Sequence, residues 1–95
     1  MLWKKFQPLN GYYVVKIEEY IPTHETLVLN AIDNVARILE VPDEWVDQNG
    51  IQRKPTLKKG QLVLFSDHAA HDHIDEEDDD IVLMHEERIK GIIKE

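Results

Sequence analysis

The stretch GYYVVKIEEY, residues 11–20, decides the fold because its side chains alternate with a period of two residues. Tyr13, Val15 and Ile17 fall on one side of an extended chain, and the residues between them fall on the other. Alternation of this kind is typical of a β-strand rather than a helix. We therefore predict a strand here and search the chain for its partners.

Two further segments read as buried strands. QLVLF (61–65) and IVLM (81–84) are short, apolar runs, which is the pattern of strands covered on both faces. VARILEV (35–41) fits either a strand or a short amphipathic helix, and the local pattern leaves both open. IKGIIKE (89–95) is equally ambiguous, although Gly91 would cost a helix about 1 kcal/mol relative to Ala.

Asn-Gly is the strongest short hairpin signal, because both residues tolerate positive φ. The pair occurs once in the segment 42–55, at Asn49 and Gly50, and predicts a hairpin. Residues 18–34 contain Pro22 and show no sustained period, so we predict a long loop there.

Several short strands separated by turns predict an all-β fold, a small barrel or sandwich. The 95 residues are too few for two separate cores, so the whole chain is predicted to be one domain, 1–95.

Composition narrows the function classes. The formal net charge is −8, with 11 Lys and Arg against 19 Asp and Glu, which argues against nucleic acid as a partner. There is no cysteine, and no apolar run approaches the roughly 20 residues of a membrane span. We expect a cytoplasmic protein without a membrane association, a cofactor or an enzymatic activity, since no nucleophile or phosphate-loop motif is present.

A histidine-rich turn is the one candidate metal site. His68, His71 and His73 lie within six residues, and imidazole is a legitimate zinc ligand. The following run 75–80 holds six consecutive carboxylates, which lack the alternating layout of a calcium loop. We favour a solvated polar turn over a metal site here, and keep a metal-binding or adaptor protein as the alternative function.

Four segments together resemble the small co-chaperonins, the GroES family. They are FQPLNGYYVVK (6–16), VPDEWVDQNG (41–50), KKGQLVLF (58–65) and DDDIVLMHEERIKGIIKE (78–95). Each motif alone is weak, but their order and spacing are similar to the family pattern over nearly the whole chain.

The resemblance implies an irregular antiparallel β-barrel with a mobile loop at about 18–34, assembled into a ring of seven identical subunits. It implies that Leu27, Val28 and Leu29 dock on a large chaperonin ring of the GroEL type. The cap would enclose substrate proteins above the ATP-loaded ring.

The resemblance also implies roles for both chain ends and for the hairpin. The C-terminal GIIKE would be an edge strand that pairs with the N-terminal LWKKF segment, also an edge strand, of the next subunit, and the hairpin would roof the cavity. We expect Trp45, which flanks the hairpin, to pack on a neighbouring subunit. The implied interface residues are Leu2, Trp3, Phe6, Ile92 and Ile93, and the implied roof residues are Trp45, Asn49 and Gly50.

The chain departs from the family in several places, including the turn after the Phe65 strand, where the family's glycine-rich turn is replaced by His68-Ala69-Ala70. HETLVLNAIDN (24–34) has no glycine around the aliphatic tripeptide, and the acidic run is heavier than usual. Divergence of this kind suggests a cap encoded by a bacteriophage, acting in the host cytoplasm.

Overall fold

The computed structural model describes residues 2–20, 32–66, 72–75, 77–78 and 80–94. Within these ranges the chain is built from β-strands and two short 3₁₀ helices, and it has no α-helix. No helix in this part of the chain is long and apolar enough to cross a bilayer. The strands are β1 (Tyr12–Tyr20), β2 (Ile32–Glu40), β3 (Trp45–Val46), β4 (Gln52–Arg53), β5 (Leu62–Phe65), β6 (Asp72–His73), β7 (Ile81–His85) and β8 (Ile89–Ile93).

Six of these strands form one sheet in the order β6-β7-β1-β2-β5-β8. Every neighbouring pair is antiparallel, and β3 and β4 form a separate two-stranded sheet. The prediction of an all-β, antiparallel fold is confirmed. The strand order is open, with β6 and β8 at its two edges, so the described ladders do not close a barrel.

The strands β1 and β2 are longer than predicted. Glu18 pairs with Val35 and Tyr20 pairs with Ile32, so the connection between the two strands spans residues 21–31 rather than 18–34. The apolar pattern of the sequence did not indicate these strand ends, because several of their residues are polar. Their backbone groups pair all the same, since a ladder uses main-chain N–H and C=O groups.

Both ambiguous segments are strands. VARILEV lies within β2, which has β1 on one side and β5 on the other. IKGIIKE contains β8, which pairs with β5 and has a register shift between Leu64 and Phe65. Pairing with partners that are distant along the chain decides these cases, and a local period does not carry that information.

The core lies on one face of the six-stranded sheet. Its buried side chains come from β1, β2, β5 and β7 and from the segment that follows the hairpin. They are Tyr13, Val15, Ala36, Ile38, Leu57, Val63, Phe65, Val82 and Met84.

The opposite face is also partly buried. Val14, Val35, Leu62 and Ile81 point away from the core cluster and are at most 4% exposed. This burial confirms that the apolar runs in β5 and β7 are covered on both faces.

The N-terminal segment differs from the prediction of an edge strand. Leu2–Lys5 form a 3₁₀ helix, closed by a hydrogen bond from Phe6 N to Trp3 O of 3.1 Å. A tight turn then leads into β1, with Tyr12 N donating to Leu9 O at 3.1 Å.

Asn10 and Gly11, the central residues of that turn, have φ values of 58° and 82°. Positive φ at both central positions is the signature of a type I′ turn.

Candidate functional site

The predicted docking tripeptide lies outside the described residues. Leu27, Val28 and Leu29 belong to the connection 21–31, whose ends are set by the pairing of Tyr20 with Ile32. The structure does describe the two strands, β1 and β2, that this connection joins.

Arg37 of β2 links these two strands to each other and to the turn before β5. Its Nε and Nη2 atoms donate to the two carboxylate oxygens of Glu18 on β1, at 3.3 and 3.4 Å. Its Nη1 atom donates to Gly60 O at 2.9 Å, in the turn before β5. One guanidinium group thus links three adjacent segments beneath the strand ends.

The predicted hairpin exists, but its turn differs from the expected two-residue form. Asp47 N donates to Ile51 O at 3.0 Å, and Gly50 N donates to Asp47 O at 3.0 Å. Gly50 has a φ of 78°, whereas Asn49 does not have positive φ. The loop is therefore the longer type, in which only its last residue, the glycine, is left-handed.

Asp47 organises this turn through its carboxylate. Oδ1 accepts hydrogen bonds from Asn49 N at 2.9 Å and Ile51 N at 3.0 Å, and Oδ2 accepts one from Arg53 Nε at 2.7 Å. The backbone N–H of Ile51 and then the Arg53 side chain hold the pKa of the Asp47 carboxyl below its usual value. All these donors favour the ionised form.

Trp45 anchors the hairpin within the single chain, whereas we expected it to pack on a neighbouring subunit. It is 9% exposed, whereas the other residues of β3 and β4 are exposed. Its ring meets His85 edge to face, with centroids 6.5 Å apart. Tyr12 meets the same imidazole at 5.0 Å.

Gly11 permits this aromatic packing. A Cβ atom at Gly11 would lie 2.8 Å from both His85 Nε2 and Trp45 Cε2, so no side chain fits. Asn10-Gly11 is the same dipeptide as Asn49-Gly50, so it carries an equally strong local turn signal. The contact with His85 and Trp45 had no local signal, because three distant positions meet there.

A half-buried carboxylate, that of Glu86, lies directly after His85. Glu86 Oε1 accepts from the Tyr13 hydroxyl at 2.5 Å, from Thr56 Oγ1 at 2.9 Å and from Thr56 N at 3.2 Å. Burial, together with the hydrogen bond to Glu86, raises the pKa of Tyr13 to about 12. The sequence did not predict this role of Glu86, whose carboxylate joins Tyr13 in the core to Thr56 in the segment after β4.

A cleft of about 520 Å³ opens between the hairpin and the 3₁₀ helix Glu86–Arg88. Its walls carry aromatic, acidic and basic side chains together. The lining residues are Asn10, Tyr12, Trp45, Val46, Asp47, Gln48, Arg53, His85, Glu86, Glu87 and Arg88.

The residues predicted to form subunit contacts lie in the two terminal elements. Trp3 and Phe6 are half-buried, Ile93 is half-buried and Ile92 is 46% exposed. The backbone of Leu2 is part of the first 3₁₀ helix, and its side chain lies outside the described part of the chain. Among the described strands, β8 has β5 as its one neighbour.

The histidine-rich turn does not form a metal site within the described residues. His68 and His71 lie outside them, and His73 is an exposed residue of the short strand β6. No group of three His, Asp or Glu side chains that could hold a metal ion occurs in the described ranges.

The acidic run is more structured than a solvated turn. Asp75 is 4% exposed and accepts from Glu77 N at 2.9 Å. Asp78 forms a 3.1 Å ion pair with Lys16 and accepts from Asp80 N at 3.0 Å. The Asp80 N–H first and Lys16 second hold the pKa of Asp78 below its usual value.

Comparison with known proteins leaves the family undetermined. No protein-family model matches this chain, and no curated protein matches it.

Proposed function

We propose that this protein is a co-chaperonin, a non-enzymatic cap that docks on an ATP-loaded chaperonin ring of the GroEL type and encloses substrate proteins. The observation that carries the proposal is the pairing of β1 with β2 up to Tyr20 and Ile32. Both ends of the connection 21–31, which contains Leu27, Val28 and Leu29, therefore belong to one antiparallel ladder. Such a cap acts in the bacterial cytoplasm, that of the host if a bacteriophage encodes it.

The energetics suit a releasable cap. Burying a Leu or Val side chain contributes about 1.5 to 3 kcal/mol, and ordering a segment on binding costs about 2 to 5 kcal/mol. One tripeptide therefore binds weakly. Several copies on one ring raise the effective concentration, so that the ring binds firmly while each contact remains reversible.

We propose further that the open sheet curls into an irregular β-barrel. The support is the burial of one sheet face: Tyr13, Val15 and Val82 are fully buried, although no α-helix in the described ranges covers them. A sheet that curves around its own apolar face buries it without a second layer.

The proposed ring forms through the terminal elements. The strand β8 is an edge strand with Ile92 46% exposed, and an apolar edge is a template for another chain. In the proposal, Ile92 and Ile93 contact the N-terminal segment of the next subunit at Leu2, Trp3 and Phe6. The 3₁₀ conformation of that segment in the single chain means that it must change or pack as a helix.

Co-sedimentation with a bacterial chaperonin, with and without ATP, tests the proposal. The wild-type chain is expected to pellet with the ring only when ATP is present. Leu27→Asp places a charge in the proposed apolar contact and is expected to reduce pelleting at least tenfold.

Leu9→Asp is the matched control, because Leu9 is an exposed leucine, at 59%, outside residues 21–31. It is expected to pellet like the wild type. Equal pelleting of Leu27→Asp and Leu9→Asp would refute the assignment of the tripeptide, and no ATP-dependent pelleting of the wild type would refute the proposed partner.

A further inference from the structure

The imidazole of His85 is held by two groups whose hydrogen-bonding roles are fixed. Its Nε2 atom lies 3.0 Å from the carbonyl oxygen of Asn10, which only accepts. Its Nδ1 atom lies 3.2 Å from Glu87 N, which only donates, so that His85 caps the 3₁₀ helix Glu86–Arg88. These contacts define one neutral tautomer, with the hydrogen on Nε2 and a lone pair on Nδ1.

The same imidazole is the surface against which the hairpin rests. Trp45 is the one buried residue of β3 and β4, and its ring packs against His85. Gly11 brings the turn before β1 against both rings. A two-stranded hairpin is at best marginally stable alone, so its position depends on this anchor.

We propose that His85 is a proton-operated latch on the hairpin. When Nδ1 takes up a proton from solvent, its lone pair becomes an N–H donor that faces the N–H of Glu87. Two donors at this separation repel, and the cap of the 3₁₀ helix is lost. The ring then leaves its place between Asn10 and Glu87, and Trp45 loses its packing surface. The hairpin moves away from the 3₁₀ helix Glu86–Arg88, which widens the cleft.

Charged groups of both signs surround the latch. Glu86, Glu87 and Arg88 come from the 3₁₀ helix, and Asp47 and Arg53 come from the hairpin. The carboxylates of Glu86 and Asp47 are already engaged, the first by Tyr13 and Thr56 and the second by the turn and Arg53. Tyr12 faces the ring from β1, and β6 pairs with β7 at Val82 and Leu83, short of His85.

Tryptophan fluorescence tests this proposal. The chain has two tryptophans, so Trp3→Phe leaves Trp45 as the single reporter. Between pH 8 and pH 5, the range in which histidine side chains change charge, we expect a reversible red shift of Trp45 emission while the sheet stays folded by circular dichroism.

His85→Asn in the same background separates the latch from other titrating groups. The amide oxygen of Asn can still accept from Glu87 N, but it takes up no proton, so the emission is expected to become independent of pH. His73→Asn is the matched control, since His73 is an exposed histidine on β6, and it is expected to leave the shift unchanged. A shift that persists in His85→Asn, or that is absent from the Trp3→Phe background, overturns the proposal.

Nitrogen NMR of the unsubstituted chain gives a second test that does not depend on the folding of a variant. At pH 8 the His85 ring is expected to show a protonated Nε2 and an unprotonated Nδ1, and the Glu87 amide shift is expected to follow the protonation of Nδ1. The opposite tautomer at pH 8 overturns the proposal. The result is independent of the proposed chaperonin partner, because both experiments use the isolated chain.

Discussion

Gly11 meets two constraints at once, a left-handed backbone and a lack of space. Gly60 has a similar φ, 87° against 82°, but nothing lies within 4 Å of a Cβ atom there. Gly60→Ala therefore reports the backbone strain alone, about 1 to 2 kcal/mol. Gly11→Ala adds the overlap with His85 and Trp45, and we expect it to lower the free energy of unfolding by a further 1 kcal/mol or more, as an order of magnitude. Urea denaturation of both variants checks this, and equal losses would show that the packing at Gly11 is not tight.

The Tyr13 hydroxyl gives a second prediction at the residue scale. It is a fully buried donor to a carboxylate, and such bonds are worth about 1.5 to 3 kcal/mol. Tyr13→Phe is expected to reduce the free energy of unfolding by this amount. Tyr12→Phe is the control, because the Tyr12 ring is 39% exposed and its hydroxyl has no hydrogen-bond partner in the described part of the chain. A similar loss in both variants would contradict the role of Glu86.

Alkaline pH weakens the same contact. The pKa of Tyr13 is raised from 10.0 to about 12, so the folded state holds this proton more tightly than the unfolded chain does. The contribution is complete below pH 10 and is lost as the pH rises towards 12. The stability advantage of the wild type over Tyr13→Phe should therefore shrink between pH 10 and pH 12 in urea titrations. A constant advantage would mean that the hydroxyl is not buried against Glu86.

At the scale of elements, Asp47 should decide the order of the hairpin loop. Asp47→Ala removes the acceptor of the Asn49 and Ile51 amides, and we expect faster hydrogen exchange at both. Asp43→Ala, an exposed carboxylate in the segment before β3, is the control and should leave exchange unchanged.

Acid has the same effect as removing the Asp47 carboxylate. The pKa of Asp47 is below its usual 3.8, so its contribution is complete above that value and is lost as the pH falls further. The amide chemical shifts of Asn49 and Ile51 should follow this titration. Shifts that stay constant to pH 2 would contradict the turn geometry.

The elements themselves differ in how far the sequence predicts them. The runs in β5 and β7 are apolar enough to be recognised alone, and the alternation in β1 is clear to Ile17. The two-residue strand β6 was missed because its residues, Asp72 and His73, are polar and pair with β7 through the backbone. A rule based on local sequence does not predict such a strand, because it forms only through pairing with β7.

In the candidate sites, too, the sequence predicts the local turn signals but not the tertiary contacts. Asn-Gly correctly predicted a hairpin at residues 49 and 50, yet the type I′ geometry expected there occurs at Asn10 and Gly11. The additional hydrogen bonds that the Asp47 carboxylate accepts favour the longer loop in the hairpin. The contact of Trp45 with His85 depends on tertiary proximity, and no spacing within the sequence predicts it.

At the scale of the whole molecule, the proposed ring predicts the assembly state. Native mass spectrometry is expected to find seven copies, and Ile92→Lys, which places a charge on the exposed edge of β8, is expected to reduce the ring to smaller species. Ile51→Lys is the control, because Ile51 is similarly exposed, at 51%, but lies on the hairpin. A monomer that retains stoichiometric zinc would instead favour the alternative, a metal-binding protein.

The central claim is that residues 21–31 are the surface that binds the chaperonin. Hydrogen exchange measured by mass spectrometry, on the chain alone and with an ATP-loaded chaperonin ring, tests it most directly. We expect slower exchange in the peptide that contains Leu27, Val28 and Leu29, with little change in the hairpin peptide that spans 45–53. Protection confined to the hairpin, or no protection at the tripeptide in a complex that has formed, would contradict it.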